Sequence, residues 1–389
     1  MDKDILPKLS AIALNSIFGY DPKFSHRIID ALGSAEAVFA LPEGEKRNLF
    51  GPFCKYLPLI SDESLEAAAR QYDALTSDGV HVLSIYDKEY PALLRECDDA
   101  PMVLYVRCSD DIGGIFNSRP AISIVGTRDI SPYGKEWCQR IVRTISEAPS
   151  HPSIVSGLAI GVDITAHMTA LECGLPTIAV LPVGIDDIYP ARHRRAASQI
   201  ASAPGSAVVT DYPPGTRAVA FNFLRRNRII AGMGQSTVLV ESKVKGGGML
   251  TARLASGYSR DVFALPGRID DTRSQGCNTL IREGLAEAIS SLDTLPSALG
   301  LGRYSYRRAA DLEGAVRARY SSAYPAQYTE DLVRIALTIK GSRGISIDGI
   351  CEELGMDYNV VSVMTGILEN DRFIFTDLLQ RCTINAKIY

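Results

Sequence analysis

The stretch Ser123-Ile124-Val125-Gly126-Thr127-Arg128 decides how this chain is read. An apolar run ends at a glycine, a small hydroxyl residue and an arginine. From Tyr133 to about Glu147, Trp137, Ile141, Val142 and Ile145 recur at helical spacing. Strand, tight glycine turn and helix together aim backbone N–H groups and the positive end of a helix dipole at an anion. The turn lacks the full G-x-G-x-x-G dinucleotide fingerprint and offers an arginine instead. Such a turn suits a phosphate, either of a nucleotide in a pocket or of a nucleic-acid backbone.

Working outward, residues 119 to about 290 alternate strands and helices. Ala121–Val125, Ile154–Gly157, Thr177–Leu181, Ala207–Thr210, Ser236–Glu241 and Asp261–Leu265 read as strands, with helical patterns such as Asp163–Cys173 and Met249–Ser256 between them. Near-continuous apolar strands separated by helices imply an α/β fold with a mostly parallel, Rossmann-like sheet covered on both faces. Ligands of such sheets bind beyond the C-terminal strand ends, where Arg128, Gly157, Gly184 and Lys243 fall. Residues 1–75 read as a small helical domain of the SAM or helix-hairpin-helix kind, from helical spacing at Ala11–Phe18, Ser25–Leu32 and Ala35–Phe39. Val80–Tyr86 and Met102–Arg107 add strands around a helical turn at Pro91–Cys97, extending the central domain to 76–290. Residues 291–326, with turn composition and Arg303, Arg307, Arg308, Arg317 and Arg319, read as a linker. Residues 327–389 follow a winged-helix order: Ile345–Leu354 and Asn359–Leu368 flank a Gly355-Met356-Asp357 turn, and strands follow at Phe373–Thr376 and Cys382–Ile384.

The 389 residues, 46% hydrophobic and 22% charged, have the composition of a soluble globular protein of two or three domains. No apolar run approaches the roughly 20 residues of a membrane span, and the acidic start Met1-Asp2-Lys3-Asp4 carries no signal-peptide core. Eight cysteines are scattered without a C-x-x-C pair, so neither a zinc site nor a disulfide framework is indicated, and a reducing cytoplasm is expected. The net charge of −4 is uneven: −8 over residues 1–118, +5 over 119–290 and −1 over 291–389. The middle segment alone is basic, which favours an anionic partner there.

Four segments carry candidate chemistry. Gly126, Thr127 and Arg128 form an anion turn, or a generic βα turn with a surface arginine. Gly157 and Gly161 permit close backbone approach at the next strand end. Asp163 and His167, four apart on one helix face, are expected as a structural hydrogen-bond pair rather than an acid/base pair or part of a metal site. In Phe221-Asn222-Phe223-Leu224-Arg225-Arg226-Asn227-Arg228-Ile229-Ile230, aromatic residues adjoin three arginines. Phenylalanine can stack on an unpaired base while arginine neutralises phosphate; equally, the segment fits an amphipathic helix with Ile229 and Ile230 in the core. Lys243, Lys245, Gly246, Gly247, Gly248 and Thr251 form a glycine-rich loop opening a helix, with bare N–H groups but no P-loop pattern. The presumed recognition helix of the C-terminal segment, Tyr358–Asn370, holds no Lys or Arg, which points to protein contact rather than DNA reading.

Taken together, IVGTRDISPYG (124–134), SGLAIGVDITAH (156–167), TIAVLPVGIDDIYP (177–190), FLRRNRIIAG (223–232), TVLVE (237–241), GGGMLTA (246–252), DVFALPG (261–267) and QGCNTLIREG (275–284) resemble the DNA-processing protein A (DprA, or Smf) family. The resemblance implies a Rossmann-like domain that binds single-stranded DNA, protects incoming strands and helps load the RecA recombinase during natural transformation, without catalysis or cofactor. The family's arginine turn maps onto Gly126, Thr127 and Arg128. Its RNR motif maps onto Arg226, Asn227 and Arg228, beside Phe223 and Arg225, and its loop lysine maps onto Lys245. The resemblance also implies a homodimer through about Asn278 to Ile289, with Leu280, Ile281 and Leu285 at the contact. Gly246 and Gly248 stand where serines are common, Leu224 where proline is common and Asp211 where glutamate is common. A nucleotide-processing enzyme using the same pocket is the alternative. The chain is distantly similar to the "lonely guy" phosphoribohydrolases, but Leu254 stands where their catalytic glutamate would be.

Overall fold

A computed structural model describes residues 5–19, 21–301, 312–342, 344–371, 373–377 and 380–384. The chain divides into two compact units, residues 1–304 and 305–389.

The first unit opens with five helices, Leu6–Phe18 (α1), Pro22–Leu32 (α2), Ala35–Ala40 (α3), Glu43–Phe50 (α4) and Asp62–Ser77 (α5). Its sheet has nine strands: His81–Ser84 (β1), Val103–Arg107 (β2), Ala121–Val125 (β3), Ser153–Ser156 (β4), Thr177–Val180 (β5), Ala207–Thr210 (β6), Ser236–Leu239 (β7), Asp261–Ala264 (β8) and Glu287–Ala288 (β9). Between and after them run Ala92–Arg95 (α6), Pro132–Ser146 (α7), Val162–Glu172 (α8), Arg194–Ser202 (α9), Ala220–Met233 (α10), Gly247–Gly257 (α11), Gln275–Arg282 (α12) and Leu295–Ala298 (α13). The strand order is β1-β2-β6-β5-β4-β3-β7-β8-β9. β2 pairs antiparallel with β1 and β6, and all other pairs are parallel. β3 to β6 are buried along their whole length, as a sheet covered on both faces requires. The chain walks from β3 through β4 and β5 to β6, then crosses back to lay β7 on the other side of β3. That reversal opens a crevice at the C-terminal ends of β3 and β7.

The Rossmann-like sheet therefore stands as read from the sequence. The N-terminal residues are helical as expected, and they pack onto the sheet within one compact unit. α1 is buried nearly all round, at Leu9, Ser10, Ala11, Ile12, Ala13, Leu14, Asn15 and Phe18. A helix without a polar face must be covered on more than one side. Here α1 shares one continuous core with Val82, Val103, Tyr105, Ala179, Leu181 and Val208 of the sheet. Each buried Leu or Ile stabilises that junction by about 1.5–3 kcal/mol, and Asn15 Nδ2 donates to the Asp211 carbonyl at 3.0 Å.

The linker expected over 291–326 is also shorter. Leu295, Leu299 and Leu301 belong to the core of the first unit, and Leu312–Tyr320 (α14) contributes Leu312, Val316 and Tyr320 to the core of the second. Arg303, Arg307 and Arg308 lie outside the described residues.

The second unit continues with Ala326–Gly341 (α15), Ile345–Ser346 (β10), Ile347–Leu354 (α16), Tyr358–Asn370 (α17), Ile374–Thr376 (β11) and Arg381–Ile384 (β12). Its antiparallel sheet has the order β10-β12-β11. Ser346 caps α16 through the Gly349 N–H, Gly355 ends α16 at φ +65°, and Asp357 caps α17. Among the described residues no helix is long and apolar enough to cross a membrane.

Candidate functional site

Three turns meet at the crevice. After β3, Gly126 is obligatory: a Cβ there would lie 2.5 Å from Val162 Cγ2 and 2.9 Å from the Glu241 carbonyl oxygen. Thr127 N–H donates to the Glu241 carbonyl at 2.7 Å, and Val162 N–H donates to the Thr127 carbonyl at 3.1 Å. The arginine turn is thereby tied to the end of β7 and to the start of α8. Arg128 is exposed, with its guanidinium 4.8 Å from the centroid of the Phe223 ring.

Glu241, which the sequence reading placed only as a strand end, is the hidden anchor. Its buried carboxylate accepts from Ser131 N–H at 2.9 Å and from the Ser131 hydroxyl. Ser131 in turn caps α7 through the Gly134 N–H at 3.0 Å. This fixes the helix that follows the arginine turn.

The loop after β7 closes on itself through Gly246 N–H to the Lys243 carbonyl, 2.8 Å, and delivers the first turn of α11 to the crevice. Lys243 and Lys245 are exposed. The resulting cleft, about 340 Å³, is lined by Gly126, Thr127, Arg128, Asp163, Phe223, Arg226, Asn227, Lys243, Lys245, Gly246, Gly247 and Thr251 among others. Segments far apart in sequence are thus brought together as expected. Exposed apolar side chains also stand at these strand-end loops and on α10: Ile160, Tyr189, Val219, Phe221 (59% exposed), Leu224 and Val244. Solvent-facing aromatic and aliphatic groups beside cations suit a ligand with both flat apolar and anionic parts.

The arginines of α10 do not act alike. Successive helix residues turn by about 100°, so Arg225 and Arg228, three apart, lie within about 60° of each other while Arg226 projects to another side. Arg226 is only 3% exposed. It donates to the Gly157 carbonyl at 2.5 Å and to the Val180 carbonyl, closing the C-terminal ends of β4 and β5. Burial lowers its pKa to about 10, with the Asp163 carboxylate acting against that shift. Gly157, expected beside a ligand, instead makes room for this side chain, since a Cβ would lie 2.3 Å from Arg226 Nη1. Arg228 leaves the cleft altogether. It forms a buried ion pair with Asp211 at 2.5 Å and donates to the Asp99 carbonyl. Arg225 donates to the Gly19 carbonyl and faces the Phe221 ring at 5.8 Å.

Asp163 and His167 are both buried but do not hydrogen-bond each other. One turn apart, they meet different neighbours. Asp163 accepts from Ala159 N–H at 3.3 Å, and burial raises its pKa. His167 Nδ1 lies 2.7 Å from the Thr177 hydroxyl of β5, and burial pushes its pKa down to about 3. Among the described residues no group of three or more His, Cys, Asp or Glu could hold a metal ion.

The expected dimer residues are largely spent within the chain. Leu280 and Ile289 are core. Asn278 bridges Gly267, accepting from its N–H at 3.2 Å and donating to its carbonyl at 3.0 Å. Ile281 and Leu285 are half-buried against the same core as Leu280. α12 turns its apolar face onto β8, an inward role that its periodicity shares with an interface helix.

Comparison with known proteins agrees with this geometry. The family model for DNA recombination-mediator protein A matches residues 81–300. Protein Smf of Synechocystis is 39% identical over 214 residues, 55% of this chain and 52% of that protein. DNA processing protein DprA of Streptococcus pneumoniae is 37% identical over 212 residues, 54% of this chain and 72% of that protein. The match thus spans about half the length of the Synechocystis relative. The X-ray structure of the S. pneumoniae protein superposes with a TM-score of 0.59 at 28% identity, covering 76% of this chain and 96% of that one. DNA processing protein A of Helicobacter pylori, solved to describe its single-stranded DNA binding mode, superposes with a TM-score of 0.50 at 27% identity, covering 57% and 95%.

Proposed function

The chain belongs to the DNA recombination-mediator protein A family, and from that premise we propose that its strand-end cleft binds single-stranded DNA. The observation that carries the reading is the convergence of Arg128, Lys243, Lys245 and the Phe223 ring on one cleft. Exposed cations would neutralise phosphates and the ring would stack an unpaired base, which a duplex does not present. Asn227 and the N–H group of Gly247 would complete the phosphate contacts. The H. pylori relative with a described single-stranded DNA binding mode supports the ligand class.

On this reading the protein is a non-catalytic mediator. It protects incoming single strands and assists a RecA-type recombinase during natural transformation in the cytoplasm. The nucleotide-processing alternative gains no support, since Leu254, at the position of its missing carboxylate, packs against the sheet core. We propose a homodimer whose contact uses the half-buried Ile281 and Leu285 rather than Leu280 or Ile289. We read the second unit as a winged helix for protein contact: residues 345–371 hold six acidic residues and no Lys or Arg.

The test is fluorescence anisotropy of a labelled oligo-dT at two salt concentrations, with duplex of equal length as competitor. Three phosphate contacts predict a log–log salt slope of roughly −2 and poor competition by duplex. Equal competition by duplex would overturn the reading.

A further inference from the structure

Tyr189 lies on the loop between β5 and α9, and neither the arginine turn nor the α10 motif includes it. The residue is 42% exposed. It meets Phe223 edge to face, with centroids 5.2 Å apart and planes at 75°. Phe223 in turn carries the Arg128 guanidinium. A cation and two rings therefore form a contiguous row running out of the cleft.

The loop that presents Tyr189 is braced. Gly184 N–H donates to the Thr216 carbonyl at 3.0 Å, both Asp186 carboxylate oxygens accept from Gly215 N–H, and His193 Nδ1 lies 2.8 Å from the Leu158 carbonyl. The acids of the loop are engaged, Asp186 as described and Asp187 with Arg194 at 3.5 Å. Just beyond Tyr189 the chain exposes Arg192 and Arg195.

We propose that Tyr189 is a second stacking platform for single-stranded DNA, taking the base next to the one on Phe223, with Arg192 and Arg195 at the phosphates beyond. This rests on the reading of the cleft as a single-strand site. Two rings at 75° cannot hold two bases in one continuous stack, so the strand bends sharply between them. A flexible single strand bends readily at one linkage, whereas a duplex would have to unstack. The pair of rings therefore selects single strands by shape as well as by offering ring faces.

The experiment is oligo-dT binding to the full chain carrying Tyr189→Ala, Tyr189→Leu, Tyr189→Phe or Tyr189→Trp. A lost platform predicts roughly tenfold weaker binding for Tyr189→Ala and Tyr189→Leu, with Tyr189→Phe unchanged. The indole of Tyr189→Trp should be quenched on binding beyond any change at Trp137. Wild-type affinity in Tyr189→Ala, or full recovery by Tyr189→Leu, would overturn the proposal, because leucine can buttress Phe223 but cannot stack a base. Failure of the wild type to bind oligo-dT would instead overturn the reading of the cleft itself.

Discussion

The rim and the floor of the cleft are built from the same residue types and use them in opposite ways. On the rim, Arg128, Lys243 and Lys245 face solvent, and Phe223 carries a guanidinium on its face. Beneath it, Arg226 is locked onto strand-end carbonyls and Arg228 onto Asp211. On the proposed reading α10 therefore has two tasks at once. Phe223 would meet the ligand, while Arg226 and Arg228 hold the helix against the sheet so that the ring is aimed. Rim changes should alter affinity and leave stability intact, and floor changes should do the reverse.

The largest expected effect is on the floor. Asp211→Ala strands the Arg228 charge in the interior, and breaking a buried pair from one side costs about 3–5 kcal/mol. Urea unfolding should show that loss, while the protein that remains folded binds oligo-dT as the wild type does. A stable Asp211→Ala protein with weakened DNA binding would reverse the assignment of Arg228.

Acid should also find the floor before the rim. His167 is held neutral, its pKa near 3 in the folded state against an ordinary value near 6.5. Between those values the unfolded chain binds the extra proton, so stability falls as pH falls, by about 1.4 kcal/mol per unit. Asp163, raised by burial, has the opposite sign. Over pH 6.5 to 5, comparison with a variant that lacks the imidazole reads the histidine's part. His167→Gln should flatten the pH dependence of the urea midpoint there, and an unchanged dependence would contradict this account.

On the rim, Phe223→Ala should weaken oligo-dT binding by about 1–3 kcal/mol, the range for one stacked base, with an unchanged urea midpoint. Loss of stability equal to the loss of affinity would make Phe223 a packing residue. The smallest effect is expected in the second unit. Val363, 58% exposed on α17, sits on a helix without Lys or Arg, so Val363→Ser should leave oligo-dT affinity within about twofold, as for surface substitutions generally.

The parallel sheet and its strand ends were legible because buried strands are apolar throughout and glycines mark the turns that follow them. The gathering of the arginine turn, the α10 motif and the glycine-rich loop also followed, since sheet topology dictates it. Sequence did not separate Arg226 and Arg228 from Arg128, because whether a guanidinium meets solvent or a carbonyl is settled by the helix's rotation on the sheet. Glu241 was invisible for a related reason: its partner, Ser131, lies 110 positions earlier. The union of the N-terminal helices with the sheet had a signal that went unused, namely that Leu9 to Leu14 leave α1 without a polar face. Tyr189 lies in the TIAVLPVGIDDIYP stretch, but nothing in that stretch announces a ring beside Phe223.

On the proposed reading, Arg128 on the rim meets phosphate while the floor arginines do not. The most direct measurement is the salt dependence of oligo-dT affinity for the wild type and Arg128→Ala. The variant should bind about 10- to 100-fold more weakly, the value of one charge-assisted contact, with a log–log slope shallower by roughly 0.7, one phosphate's worth. An Arg128→Ala protein with wild-type affinity and wild-type slope would contradict it.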